Sequence, residues 1–157
     1  MKKILLFLSV LLTYSNSFAQ IDVTATSGTP FASYATLKDA FDALNSGTQT
    51  GTITIAISGN TTETASAVLN ASGTGGANYT TITISPTGGV LRTISGNLAS
   101  ALVDLNGADN VTIDGLNTGG NALTFDNQNT GGTSTIRFIG DATNNTINNC
   151  TLLGAST

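Results

Sequence analysis

The sequence of 157 residues contains no histidine, no tryptophan and a single cysteine, and only 9% of it is charged. Each scarcity closes a class of function. Without imidazole there is no histidine general base, no Ser-His-Asp triad and no histidine-ligated metal in this chain. The lone thiol, Cys150, rules out an intrachain disulfide. In a secreted chain it stands for a reactive or intermolecular site, or else for a small buried apolar residue. Five basic residues face nine acidic ones, a net charge of −4, and Lys2 and Lys3 belong to the N-terminal segment treated below. What remains, Lys38, Arg92 and Arg137 against nine carboxylates, repels a phosphate backbone, so nucleic acid is not an expected partner. Low charge signals disorder when apolar residues are missing too. Here 39% of residues are hydrophobic and they fall in alternating clusters, which predicts a folded chain. Its polar positions are filled by Gly, Thr, Asn and Ser, which suit stacked strands because like charges would otherwise face each other at every level.

At the N-terminus, Lys2 and Lys3, the apolar run 4–12 and the small-x-small site Ser17-Phe18-Ala19 before Gln20 have the three-part pattern of a secretory signal peptide over residues 1–19. A membrane anchor needs roughly 20 apolar residues, and Thr13, Tyr14, Ser15 and Asn16 end this run early. No cysteine lies near the cleavage site to take a lipid. The expectation is export by the Sec pathway, with a secreted or cell-surface location and no membrane span after cleavage. Residues 20–32 then read as an N-terminal strand or linker, and 33–157 as one domain.

Two stretches near the C-terminus repeat one unit. Val103-Asp-Leu-Asn-Gly-Ala-Asp-Asn-Val-Thr-Ile-Asp-Gly-Leu116 is followed by Ile136-Arg-Phe-Ile-Gly-Asp-Ala-Thr-Asn-Asn-Thr-Ile-Asn-Asn-Cys150. Val103 matches Ile136, Leu105 matches Phe138 and Gly107 matches Gly140, 33 residues apart; one extra polar residue then moves Ile113 onto Ile147 and Leu116 onto Cys150, 34 apart. A period in this range made of short strands points to a solenoid. It also assigns Cys150 an inward apolar position. Strand patterns run at 21–25, 52–57, 81–85, 90–94, 102–105, 111–113, 123–125, 135–139 and 146–150, all short, β-branched and punctuated by Gly, Asn or Asp. Residues 72–76 and 127–133 read as protruding loops. One helix is predicted, at about 36–46: Leu37, Ala40, Phe41 and Leu44 form an apolar stripe, Thr36 with Asp39 begins it, and Gly47 ends it.

The competing architecture is a β-sandwich. Against it stand the lack of a recurring two-residue hairpin turn, a repeat that holds two or three strands like the sides of a coil, and an aromatic content of only 6%. The expected fold is all-β, a right-handed parallel β-helix with one short N-terminal capping helix. The helix Tyr34-Ala-Thr-Leu-Lys-Asp-Ala-Phe-Asp-Ala-Leu-Asn45, the Ile-Thr-Ile strands and Asn110-Val-Thr-Ile-Asp-Gly-Leu116 together resemble the N-terminal part of secreted pectate-lyase-like β-helix proteins. They resemble more closely the cell-surface β-helix proteins of Bacteroidota that carry C-terminal sorting domains. The resemblance covers about 33–157 and implies that the helix caps the N-terminal end of the solenoid.

Catalysis on such a fold calls for a base beside calcium-holding carboxylates in lyases, or for two carboxyl groups at a set separation in hydrolases. The Asp-Asp and Gly-His-Gly pattern of β-helical polygalacturonases is absent, and no catalytic or cofactor-binding residue is assigned. Asp109, Asp114, Asp126, Asp141 and Arg137 remain. Asp109 and Asp141 fall in the same turn of successive levels, ~4.8 Å apart, where with turn carbonyls they form a weak Ca²⁺ candidate; plain turn chemistry is the stronger reading. Arg137 has no assignable side. The Thr-x-Thr strands, Thr52/Thr54 and Thr81/Thr83, suggest a flat threonine array of the ice-binding kind, but Val-Asp-Leu and Ile-Arg-Phe in the later units are expected to interrupt it. The sequence therefore predicts a non-catalytic N-terminal segment of an extracellular β-helix protein. It would serve adhesion or surface-glycan binding, with extracellular polysaccharide or cell-surface components as partners. The alternative is the leading part of a polysaccharide lyase or glycoside hydrolase with its catalytic levels beyond residue 157. Because no polar cap follows the last strand, a longer solenoid is expected.

Overall fold

Strands repeat in a fixed order around one apolar interior. In a computed structural model that describes residues 18–117, 120 and 122–155, β3 (Gln49–Ile57), β4 (Thr61–Glu63) and β5 (Ala67–Asn70) form the first coil. The second is β6 (Tyr79–Pro86), β7 (Arg92–Gly96) and β8 (Val103–Asn106), and the third β9 (Val111–Asp114), β10 (Leu123–Asn127) and β11 (Ile136–Ile139). β12 (Thr146–Asn148) and β13 (Cys150–Gly154) follow. Each strand lies in parallel register on its counterpart one coil earlier. Three sheets result: a six-stranded sheet 1 that includes β12-β9-β6-β3, a four-stranded sheet 2 of β13-β10-β7-β4 and a three-stranded sheet 3 of β11-β8-β5. This is a parallel β-solenoid of about three turns, as the repeat predicted. Residues 1–17 of the expected signal peptide (1–19) and residues 156–157 lie outside the described residues.

Alternation of side chains sets the interior. Val23, Ile55, Ile84, Ile113 and Ile147 stack in one inward column, Ile94, Phe125 and Leu152 in a second, and Leu69, Leu105 and Phe138 in a third. Val23, Ile55, Ile84, Ile113, Ile94, Phe125 and Leu69 are fully buried. Each such side chain contributes about 1.5–3 kcal/mol of transfer free energy. The repeat register holds at Val103/Ile136, Leu105/Phe138 and Ile113/Ile147. Its one-residue slip falls at Asp141. Gly107 and Gly140 turn each level at positive φ, and the later turn adds Asp141, also at positive φ, before Asn144 repeats the conformation of Asn110. A side chain at Gly107 would collide with the Gly140 carbonyl, so glycine is required there by both φ and space.

Several expectations need correction. Cys150 does point inward, but its counterpart is Leu123, because Leu116 is a turn residue at positive φ. Pattern 146–150 is two strands in different sheets, separated by Asn149 at positive φ. Pattern 90–94 starts late: Val90 and Leu91 are exposed beyond a turn at Thr87–Gly89, and β7 begins at Arg92. β4 and β5 have no strand pattern in the sequence because Thr61–Glu63 and Ala67–Asn70 are too short to show one.

The N-terminal end is closed by two elements. β1 (Ile21–Gly28) pairs antiparallel with β3, and β2 (Phe31–Tyr34) with β1, extending sheet 1 beyond the first coil. The helix α1 (Leu37–Asn45) buries Leu37, Ala40, Phe41 and Leu44 and lies against β5. Thr36 caps its first turn by accepting the Asp39 N–H, and Gly47 follows it at positive φ, as the sequence indicated.

Candidate functional site

The two calcium candidates are placed differently. The Asp109 carboxylate accepts the Thr143 N–H at 2.6 Å and the Thr143 hydroxyl at 2.8 Å, tying one turn to the next. Asp141 is exposed on the added residue of the later turn. Among the described residues no three of His, Cys, Asp and Glu gather at one point.

Six of the other carboxylates are engaged in structural bonds as well. Asp22 accepts the Ser33 hydroxyl, Asp42 pairs with Lys38, and Asp126 accepts the Gln128 amide. Asp114 accepts the Asn149 amide and the Leu116 N–H, both at 2.9 Å. Those bonds, the amide first, hold its pKa below the usual carboxylate range. Arg137 points outward and pairs through two nitrogens with Asp104 one level below; that bond raises the guanidinium pKa further. Glu63 is buried at the start of α1, where its oxygens accept the N–H groups of Leu37 and Lys38 at 3.0 Å and the Thr61 hydroxyl at 2.9 Å. A carboxylate at that place satisfies helix donors and complements the positive helix end. No sequence signal marked it, because the partner lies 25–26 residues away.

Two nucleophile-like groups are silenced by burial. The Cys150 thiol is half-buried and donates to the Asn148 carbonyl; burial raises its pKa, which disfavours the nucleophilic thiolate. Tyr79 donates to the Asn70 carbonyl at 2.5 Å, and burial, with nearby Asp109 adding, pushes its pKa up to about 12.

What the structure does assemble is a face. On the outer side of sheet 1, Thr24 lies opposite Thr54, Thr54 opposite Thr83, Thr83 opposite Thr112 and Thr112 opposite Thr146. The column crosses five strands at ~4.8 Å per step, and all but half-buried Thr112 are exposed. A second row begins with Thr52 opposite Thr81 and is joined to β1 where the Thr26 hydroxyl accepts the Thr52 N–H. The interruption expected from Val-Asp-Leu and Ile-Arg-Phe does not occur here, because those segments are β8 and β11 of sheet 3. Sheet 1 receives Val-Thr-Ile and Thr-Ile-Asn instead. Sheet 2 carries a shorter row, Thr93, Thr124 and Thr151. A shallow polar hollow of about 320 Å³ also opens beside the cap, lined by Gln20, Thr36, Asn60, Thr61 and Thr62 among others, and no ionisable side chain lines it. No helix among the described residues is long and apolar enough to cross a membrane. No family model, curated protein or solved structure matches this chain.

Proposed function

We propose that this chain is a non-catalytic segment of a secreted or cell-surface β-solenoid that binds extracellular polysaccharide. The observation that carries the reading is the use made of its carboxylates. Asp22, Asp42, Glu63, Asp104, Asp109, Asp114 and Asp126 each hold an internal hydrogen bond or ion pair. Carboxylates committed in this way are not free to serve as the paired acid and base that glycoside hydrolysis needs. What faces outward in regular order is hydroxyl and amide, groups that exchange hydrogen bonds with sugars. The signal-peptide pattern and the resemblance to surface β-helix proteins support the location.

The test is co-sedimentation of the full chain with a panel of insoluble polysaccharides and with intact bacterial cells, alongside assays for new reducing ends and for unsaturated uronate products. Retention on a glycan without product is expected. Product formation that survives purification would replace binding by catalysis, and absence of retention on every surface would remove the adhesion reading.

A further inference from the structure

We infer that the outer face of sheet 1 is the glycan-contacting surface and that its ligand is a neutral, linear polysaccharide rather than a polyuronate. The inference rests on the proposed glycan-binding role and adds its place and its ligand class. The argument starts from charge. Lys38 is on α1, Arg92 begins β7 and Arg137 lies in β11, so none of the three cations of the described chain belongs to a strand of sheet 1. The acids on its strands, Asp22 and Asp114, are held by Ser33 and by Asn149 with Leu116. A polyuronate would therefore meet no cation and two carboxylates, which is unfavourable, whereas an uncharged chain meets no such penalty.

Comparison of the three outer faces selects sheet 1. Sheet 3 presents Val68, the Asp104–Arg137 pair and Ile139. Sheet 2 runs Thr62, Ser95, Asp126 and Leu153 in one of its rows, ending in an exposed apolar residue. Sheet 1 alone keeps one hydroxyl in register over five strands, and the antiparallel strand β1 continues the column although its capping role requires only the inward residues Ile21 and Val23. On either side of the column the residues vary. Two positions upstream stand Thr52, Thr81, Asn110 and Asn144, and two downstream Ala56, Ser85, Asp114 and Asn148. The hydroxyls and amides among them, interrupted by Ala56 and Asp114, match the varied donors and acceptors of a sugar chain better than the single repeating molecule of an ice lattice. Exposed Phe31, opposite Thr24 at the end of the column, adds an apolar surface for a pyranose ring.

The experiment compares retention of the full chain on particulate cellulose, chitin and β-glucan with retention on polygalacturonate gel. Three variants are used: Thr54→Val with Thr83→Val and Thr112→Val; the same three positions as Ser; and the sheet 2 control Thr93→Val with Thr124→Val and Thr151→Val. Valine keeps β-branching and removes the hydroxyl. Retention on at least one neutral glycan should fall about tenfold or more in the sheet 1 valine variant, return in the serine variant and persist in the sheet 2 control. If the valine variant melts early, Thr83→Arg alone, one exposed position in the middle of the face, should give the same loss. Equal losses from sheet 1 and sheet 2 variants, or no loss from either, would overturn the placement while leaving glycan binding itself standing. Preferred retention on polygalacturonate would overturn the ligand class. Shaping of ice crystals with no glycan retention would overturn this inference and the glycan-binding reading together.

Discussion

Phe41 and Phe138 are both large aromatic side chains turned toward the same interior, yet water reaches only one of them. Phe41, on the helix at the N-terminal end, is 0% exposed; Phe138, in the last coil, is 46% exposed. The contrast extends to the backbone. At the N-terminal end, the amide of Asn45 donates to the Val68 carbonyl and accepts the Asn70 N–H, so one side chain takes the place of a neighbouring strand along the edge of β5. The Gln20 carbonyl accepts the N–H groups of Ser58 and Gly59, and β1 covers β3. At the other end β11, β12 and β13 are the outermost strands of their sheets, and no described residue covers them. Leu152 and Leu153 are nearly half exposed there. Identical stacking chemistry thus gives a sealed core at one end and an open strand edge at the other, and what separates them is a helix, a hairpin and a few polar side chains placed on strand edges.

The largest expected effect separates the two phenylalanines. Phe41→Ala should destabilise the chain by ~3–5 kcal/mol, the usual cost of truncating a fully buried aromatic, measured by urea unfolding followed by circular dichroism. Phe138→Ala should cost less than half as much, since much of its surface is already wet. Equal losses would mean that the open end is closed in solution. The next effect concerns the sealing carboxylate. Glu63→Ala leaves two helix N–H groups and the Thr61 hydroxyl without their acceptor and should cost ~1–3 kcal/mol. Asp42→Ala, which breaks only the exposed pair with Lys38 on the same helix, should cost less than ~0.5 kcal/mol; if the two match, the helix does not seal the end. The smallest effect is acid-dependent. Asp114 has its pKa lowered in the folded chain, chiefly by Asn149, so its contribution is present above the unfolded value of about 3.9 and is lost as pH falls through the folded value. Asp114→Asn should remove that component of acid sensitivity. Because the group is solvent-screened, the change is expected only as a slightly shallower loss of melting temperature below about pH 4. A variant that becomes more acid-sensitive would contradict the sign.

The helix and the later coils were legible because their signals are local or repeated. The Leu37, Ala40, Phe41 and Leu44 stripe needs only a 3.6-residue period, and the 33-residue match of Val103 with Ile136 needs only two copies. The first coil was legible only in β3, since its β4 and β5 span three and four residues and have no sequence copy. Polar side chains that fasten one level to another were missed for a different reason. Asn127 is buried and accepts the Leu98 N–H, while its amide nitrogen lies within hydrogen-bond distance of the carbonyls of Leu98, Ser100 and Ser134, although the sequence placed it at the start of a protruding loop. An asparagine in a turn and an asparagine bridging two coils look the same until the strands are aligned. The threonine column was only partly legible: Thr54, Thr83 and Thr112 follow one another at 29 residues, but Thr146 comes 34 later and Thr24 lies on an antiparallel strand, so one period does not connect them all.

Native-state hydrogen exchange, resolved strand by strand in the full chain, tests the difference between the ends most directly, because local opening follows the cover that each strand has. Amides of β3 and β6 should exchange only through global unfolding, with β1 and α1 close behind. Protection should then fall through β9 and β10 to a minimum in β11, β12 and β13. Uniform protection through β13, or first loss of protection in α1 and β1, would contradict a solenoid sealed at its N-terminal end and open at the other.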